Sequence, residues 1–336
     1  MSVTIKDVAK LANVATSTVS RVIANNPRIS DGTKKKVRDA MHELGYHPNA
    51  IARSLASQST QSLGLIMPRS TDIVFQNPFF LTLLRGISEG AQNAQYTLLM
   101  TTGKSDKEIY DGVVQIVQGR KVDGVILLSS QVEDDILSYL YKRKFPFVLI
   151  GKPYKYKDKI THVDNDNFSA ANEATKHLLT KGHTKIAFIG GSRKLTVTME
   201  RLLGYREALE TADIPVRDAY CVHEEFLSSG GQEAVKGLLD LPDPPSAMLV
   251  TDDLMALGVL RVCNDLGISV PESIAIVSFN NTMMADMSRP PLTSMEINTL
   301  DLGYQAVTSL IQHISQPNEP IKRVIIPHSL VIRETT

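Results

Sequence analysis

The chain has 336 residues, 43% of them hydrophobic and 21% charged, enough for two or three folded units and too apolar for a disordered chain. Its formal net charge is zero, yet the first 60 residues hold nine Lys or Arg against four Asp or Glu, and the remainder holds 27 against 32. A basic head on an acidic body points to a small module for a polyanion, and no apolar run reaches the length that crosses a bilayer.

The start, MSVTIKDVAK, lacks the basic and apolar regions of a secretory signal, so a cytoplasmic protein is expected. Cys221 and Cys263 stand apart, without CxxC spacing, and suit buried apolar side chains in a reducing compartment. Neither a metal site nor a cofactor is expected. "FIGGSRK" lacks the GxGxxG fingerprint, and "DNDNF" places Phe168, Ser169 and Thr175 where a calcium loop needs a ligand, Gly and Glu.

In chain order, Thr4 can cap a first helix to about Ala12, with Val8, Ala9, Leu11 and Ala12 on its apolar side. A turn at Asn13 and Val14 precedes a second helix, Thr16 to Ala24, with Val19, Val22 and Ile23 inward and Thr16, Ser17, Ser20 and Arg21 outward. A third, capped by Ser30 and carrying Lys34, Lys35, Lys36 and Arg38, stops at Gly45. Short hydroxyls and one arginine on an exposed helix suit the DNA major groove, where small side chains allow close approach and Arg grips guanine. The plain alternative is a helical hairpin with solvated Ser and Thr.

"YHPNAIARSLASQSTQS" then reads as a short helix after Pro48 and a polar linker. From residue 61, apolar runs such as "LGLIM", "GVILL", "FVLIG", "IAFIG", "AMLVT" and "IAIVSF" alternate with helix-length segments, the pattern of parallel sheets covered on both faces. The fold class is α/β. Strand starts near Ser62, Tyr96 and Asp123 repeat in spacing near Lys185, Ala219 and Ser246, so two doubly wound halves follow one another. The expected division is 1–45 for the head, 46–60 for hinge and linker, 61–151 with about 292–320 for one lobe, and 162–291 with about 321–336 for the other. Three crossovers between lobes make a hinged cleft.

Ligands of such sheets bind beyond the carboxyl ends of the strands. Phe79, Phe80, Lys152, Asp164, Arg201, Phe226, Asp252 and Asn280 are the candidates there. Aromatic rings with forked polar groups suit a sugar's CH face and hydroxyl rim. For Phe80 and Asp253, core or capping roles compete. Catalysis is not expected: Asp164 with Asp166, or Asp252 with Asp253, are sequence neighbours that cannot flank a scissile bond.

"TIKDVAKLANVATSTVSRVI" resembles the helix-turn-helix of the LacI/GalR repressor family at Val14, Thr18, Val19, Ser20, Arg21 and Val22, with Ala15 where that family usually has Ser. The resemblance continues through "GYHPNAIARSLAS", whose Asn49, Ala52, Arg53 and Leu55 match its hinge helix, and it implies a minor-groove wedge at Leu55. Thr4, Arg28, Ser30, Thr33 and Tyr46 complete the expected DNA-facing set. "NPFF", "RLLGY", "TDDLMALG" and "SRPPLTS" resemble the family's periplasmic-binding-protein-like core. "GKPY", "VDNDN" and "FNNT" are most similar to maltose-operon repressors of Gram-positive bacteria. Asn280 stands where relatives commonly have Asp. The resemblance implies a homodimeric, operator-binding repressor controlled allosterically by a small sugar, maltose or a maltodextrin. The alternative is a global catabolite-control regulator co-activated by a phosphorylated carrier protein. Against it, "DLGYQAVTSLIQHI" has no Arg or Lys to receive a phosphoserine.

Overall fold

The computed structural model describes residues 3–24, 26–46, 59–68 and 74–336. The chain divides into two compact units: residues 1–62 with 120–123, and the rest.

In the first unit, α1 (Ile5–Leu11), α2 (Thr16–Ile23) and α3 (Asp31–Glu43) surround buried Val8, Ala9, Ala12, Val19, Val22, Val37 and Ala40. These apolar positions recur at helical spacing, so each helix buries one stripe. Leu11 departs from the expected apolar side: it is 45% exposed, because it projects away from the face that carries Val8 and Ala12. Ser30 caps α3 by accepting from Thr33 N at 3.4 Å, and Gly45 follows α3 with φ +61°. The end of the linker is pinned by the Asp123 carboxylate, which accepts from Ser59 Oγ (2.5 Å), Thr60 N (2.7 Å), Thr60 Oγ1 (2.9 Å) and Gln61 N (3.0 Å).

The second unit contains two six-stranded sheets. The first runs in the order β11 (Arg323–Ile326), β5 (His162–Asn165), β4 (Phe147–Ile150), β3 (Gly124–Leu127), β1 (Ser62–Ile66), β2 (Thr97–Thr101). The second runs β12 (Ser329–Val331), β10 (Thr293–Glu296), β9 (Ala275–Phe279), β8 (Ala247–Val250), β6 (Ile186–Gly190), β7 (Cys221–His223). Inner strands such as GVIL, FVLI and AMLV are buried throughout, as strands covered on both faces must be. The described pairings are parallel except β10 with β12.

Helices α4 (Pro78–Asn93), α5 (Asp106–Gln118), α6 (Asp135–Arg143) and α12 (Thr299–Ser315) belong to the first lobe. Helices α7 (Asn167–Thr180), α8 (Thr196–Thr211), α9 (Ser228–Leu239), α10 (Asp253–Asp265) and α11 (Met283–Met287) belong to the second. Small residues set the helix contacts: a Cβ on Gly86 of α4 would lie 2.0 Å from Leu300 O of α12, and one on Gly204 of α8 would lie 2.1 Å from Phe168 O of α7.

The strand order moves three expected lobe boundaries. Residues 162–165 complete the first sheet, with Leu149 opposite His162, whereas the sequence division placed them in the second lobe. Residues 293–296 belong to the second sheet and 323–326 to the first, each the reverse of the expected assignment. The crossings therefore fall after Asn165, Glu296 and Ile326. "HVDN" is too polar to read as a core strand, yet all four residues are buried: Val163 joins the apolar core, and the side chains of His162, Asp164 and Asn165 find hydrogen-bond partners. Asn165 Nδ2, for example, donates to Ile297 O at 2.8 Å and to Ile326 O at 3.1 Å, so one amide ties the three crossovers together.

Candidate functional site

On the head, Thr16, Ser17 and Arg21 of α2 are exposed and Ser20 is half-buried, so the outward face expected from the sequence is present. Ala15 occupies the N-cap of α2 and supplies no side-chain cap. Thr4 donates its hydroxyl to Asp7 Oδ2 at 2.7 Å and its N–H to the same oxygen at 2.9 Å, which holds the Asp7 carboxyl below its usual range. Ser30 and Thr33 share a 3.0 Å hydroxyl contact, Arg28 is exposed, and Tyr46 packs half-buried against the three-helix core. Asn49, Ala52 and Leu55 lie outside the described residues.

In the second unit, the strand ends bring Asp164, Asp252 and Asn280, and helix α8 brings Arg201, into two linked networks. Asp252 N-caps α10 through Oδ1, accepting from Leu254 N at 2.8 Å and Met255 N at 3.3 Å. Its Oδ2 accepts from Asn77 Nδ2 of the first lobe and from Asn280 Nδ2 of the second, each at 2.9 Å. Arg201 is buried: its Nε donates to Asn167 Oδ1 at 2.9 Å, its Nη1 donates to Thr251 O at 2.8 Å, and its guanidinium lies 4.1 Å from the centre of the Phe279 ring. Asn167 Nδ2 in turn donates to Asp164 Oδ1 at 3.0 Å. Adjacent residues Thr251 and Asp252 join the networks.

Electrostatics follow from depth. Burial pushes the carboxyls of Asp164 and Asp252 up to about 7 and lowers the Arg201 guanidinium to about 10, against the attraction of Asp252 and Asp164. Each group is thus hydrogen-bonded within the networks yet poorly solvated. The Oγ1 atoms of Thr251, Thr198 and Thr282 are buried with no hydrogen-bond partner among the described residues.

Aromatic groups flank this polar hub. Phe79 and Phe80 meet edge to face at 5.1 Å, and Phe79 packs against apolar clusters of both lobes. The Phe226 ring lies so close to Gly191 that a Cβ there would be 2.3 Å from it. Lys152 is not in the hub: it is exposed at the rim, and its Nζ pairs with Glu200 of the second lobe at 2.7 Å. The loops of the two lobes also touch at Val132 N to Lys194 O (2.9 Å) and Thr196 N to Ser130 O (3.1 Å).

Asn77, Asn167, Thr251 and Phe279, which the sequence reading did not name, contact Asp252 or Arg201 directly. A signal existed for two of them: Asn77 precedes a proline at a helix start, and Asn167 follows two acids in "VDNDN". Asp253 takes the structural role weighed against function, accepting from Ser278 Oγ (2.6 Å), Ser294 Oγ (2.8 Å) and Thr282 N (2.6 Å). It thereby fixes a turn in which Asn280 and Asn281 have φ of +96° and +46°, and Arg333 Nη2 adds a 2.8 Å bond to Asn281 Oδ1. A cavity of about 650 Å³ opens elsewhere, between α5 and α6, lined by Met67, Tyr110, Asp134, Tyr139 and Arg143 among others; none of the expected effector residues lines it.

Comparison with known proteins accounts for both units. Residues 4–49 match the family described as bacterial regulatory proteins, lacI family, and residues 175–336 match a periplasmic binding protein-like domain. The HTH-type transcriptional regulator MalR of Streptococcus pneumoniae serotype 4 is 41% identical, covering 98% of this chain and 99% of its own. Catabolite control protein A of Priestia megaterium is 35% identical over the full length of both. Among solved structures, the transcriptional regulator CelR in complex with cellobiose superposes with a TM-score of 0.79 at 31% identity, covering 99% of this chain and 100% of that one. The lac repressor dimer bound to operator gives 0.85 at 25% identity, covering 100% and 99%. With relatives of this identity along its whole length, the chain belongs to the lacI family and is a transcriptional regulator.

Proposed function

We propose that this regulator is a cytoplasmic repressor that binds a pseudo-palindromic operator as a homodimer through residues 1–60 and is controlled by a small sugar, maltose or a maltodextrin, bound between the two lobes. The observation that carries the reading is the buried Asp252 carboxylate, shared at 2.9 Å by an amide from each lobe. A polyol offers hydroxyls that can replace either amide, and its donors and acceptors suit the Arg201, Asp164 and Thr251 groups beside it. Phe79 and Phe226 supply apolar faces for the ring. The relatives support the sugar class: the Streptococcus pneumoniae regulator is named MalR, and CelR is solved with cellobiose.

Control works by population. A sugar that prefers one lobe posture shifts the balance toward it, and the operator, read by two joined heads, prefers one posture of the pair. Asn49, Ala52 and Leu55 are the proposed hinge contacts, and Thr16, Ser17, Ser20 and Arg21 the proposed groove contacts, with Thr4, Arg28, Ser30, Thr33 and Tyr46 at their margin. If the dimer neutralises about 6 to 10 phosphates, operator affinity falls roughly 10³- to 10⁵-fold between 50 and 200 mM salt.

The reading of a catabolite-control regulator has support in the full-length likeness to catabolite control protein A. It is weaker here because α12, Thr299–Ser315, carries no Lys or Arg. Calorimetric titration with maltose, maltotriose, sucrose and galactose tests the sugar class directly. Saturable binding of maltose or maltotriose is expected, and heat only from galactose or sucrose, or from none, refutes the assignment.

A further inference from the structure

Residues 142–159 hold seven Lys or Arg, namely Lys142, Arg143, Lys144, Lys152, Lys155, Lys157 and Lys159, against one acid, Asp158. Without them the 27 basic and 32 acidic residues of positions 61–336 become 20 and 31, so this stretch is a strongly cationic island on an acidic body. All seven are exposed. Lys152 is neutralised by Glu200, and Asp158 is taken by Arg323, which leaves six cations without an acid inside the stretch to balance them.

The island is organised. Tyr141 of α6 stacks on Tyr156 of the following loop, ring centres 4.1 Å apart and planes at 22°, so the end of the helix and the loop stand side by side. The backbone bond from Lys159 N to Tyr156 O, 2.8 Å, turns the loop there. Tyr154 is 44% exposed, with the Lys157 ammonium 5.7 Å from its ring. Cations in the last turn of a helix are expected from its dipole, which accounts for Lys142 and Arg143. That argument does not reach Lys155, Lys157 and Lys159. Nor does it explain Lys144, which occupies the helix cap at φ +54°, where glycine is the unstrained choice.

Beside the island opens the 650 Å³ cavity, whose lining includes Lys142, Arg143, Tyr110 and Tyr139. Four acids also line it: Glu133, Asp134 and Asp135 at the other end of α6, the Asp134 carboxyl within reach of the Lys155 charge, and Asp106 at the start of α5. Interfaces between proteins commonly combine a charged rim with one bulky side chain seated in a pocket. We propose that this face docks an acidic segment of a partner protein, the carboxylates meeting Lys144, Lys155, Lys157 and Lys159 and one aromatic side chain entering the cavity.

The test uses the full-length protein and a fluorescein-labelled peptide of glutamates flanking a single tryptophan, read by anisotropy at low salt. The variant Lys155→Gln/Lys157→Gln/Lys159→Gln is expected to weaken peptide binding by about tenfold, since rim charges act additively in steering and holding an acidic partner. Replacing the peptide's tryptophan with glycine is expected to weaken it roughly fivefold. Lys34→Gln/Lys35→Gln/Lys36→Gln, in the head, is expected to leave it within about twofold and serves as the control for generic attraction. The inference is overturned if the head variant abolishes peptide binding, if the loop variant does not weaken it, or if the tryptophan makes no difference. It is also overturned if the loop variant weakens binding of a non-operator DNA duplex as much as that of the peptide, which would make the island a nucleic-acid surface.

Discussion

Asn77 Nδ2 lies 2.9 Å from Asp252 Oδ2, so the N-cap of a first-lobe helix is bonded to the N-cap of a second-lobe helix. The same Asn77 accepts from Phe79 N at 3.0 Å through its oxygen. One side chain therefore starts α4 and latches the lobes. Asn77→Ala removes both functions, and a loss of about 1–3 kcal/mol in urea unfolding of the core is expected. Asn77→Asp places a second carboxyl against the first, and its destabilisation is expected to be larger at pH 8 than at pH 5.5.

The pH dependence of the protein itself follows from Asp164 and Asp252. Both have folded-state values raised from 3.8 to about 7 by burial. The folded chain then binds more protons than the unfolded chain between these values, so their contribution to stability is present at acid pH and is lost as pH rises from about 4 to about 7. Thermal unfolding of Asp164→Asn/Asp252→Asn, followed from pH 5 to 8 beside the parent, is expected to show a flatter profile. An equally steep profile in the variant would assign the dependence to other groups.

Asn165 ties the three crossovers through Ile297 O and Ile326 O. Asn165→Ala leaves two inward carbonyls short of a donor, at an expected cost of about 1–3 kcal/mol. Because the loss falls on the crossovers, hydrogen exchange is expected to quicken around residues 297–299 and 326–329 more than in β8 or β9. Uniform acceleration would mean that the amide supports global stability alone.

Much of this architecture was legible because its signals are local. Repeated apolar runs such as "GVILL" and "AMLVT" can only be strands covered on both faces, and Ser30 and Gly45 mark the ends of α3 by their backbone chemistry. The lobe boundaries were not legible, because "HVDN" and "TSME" are stabilised by partners more than a hundred and about forty residues away, respectively: Asn165 bonds Ile297 and Ile326, and Thr293 bonds Thr335. Arg201, Asp252 and Asn280 were named from residue type and resemblance, and the fold brings all three into the linked networks. Asn77 and Thr251 were missed because their roles depend on the second lobe meeting the first, which no local pattern encodes. Lys152 was named by its position after β4, and its long side chain pairs with Glu200 across the lobes.

In the proposed function the polar hub and the operator-reading head are coupled. The most direct test is anisotropy of a labelled operator duplex with and without maltose, for the parent, Arg201→Ala and Arg21→Ala. The account predicts at least a roughly tenfold change in the parent's operator affinity on adding sugar, no change in Arg201→Ala, and in Arg21→Ala weakened operator binding with sugar affinity intact. Parent operator affinity that stays the same when the cleft is shown by calorimetry to be saturated would contradict it.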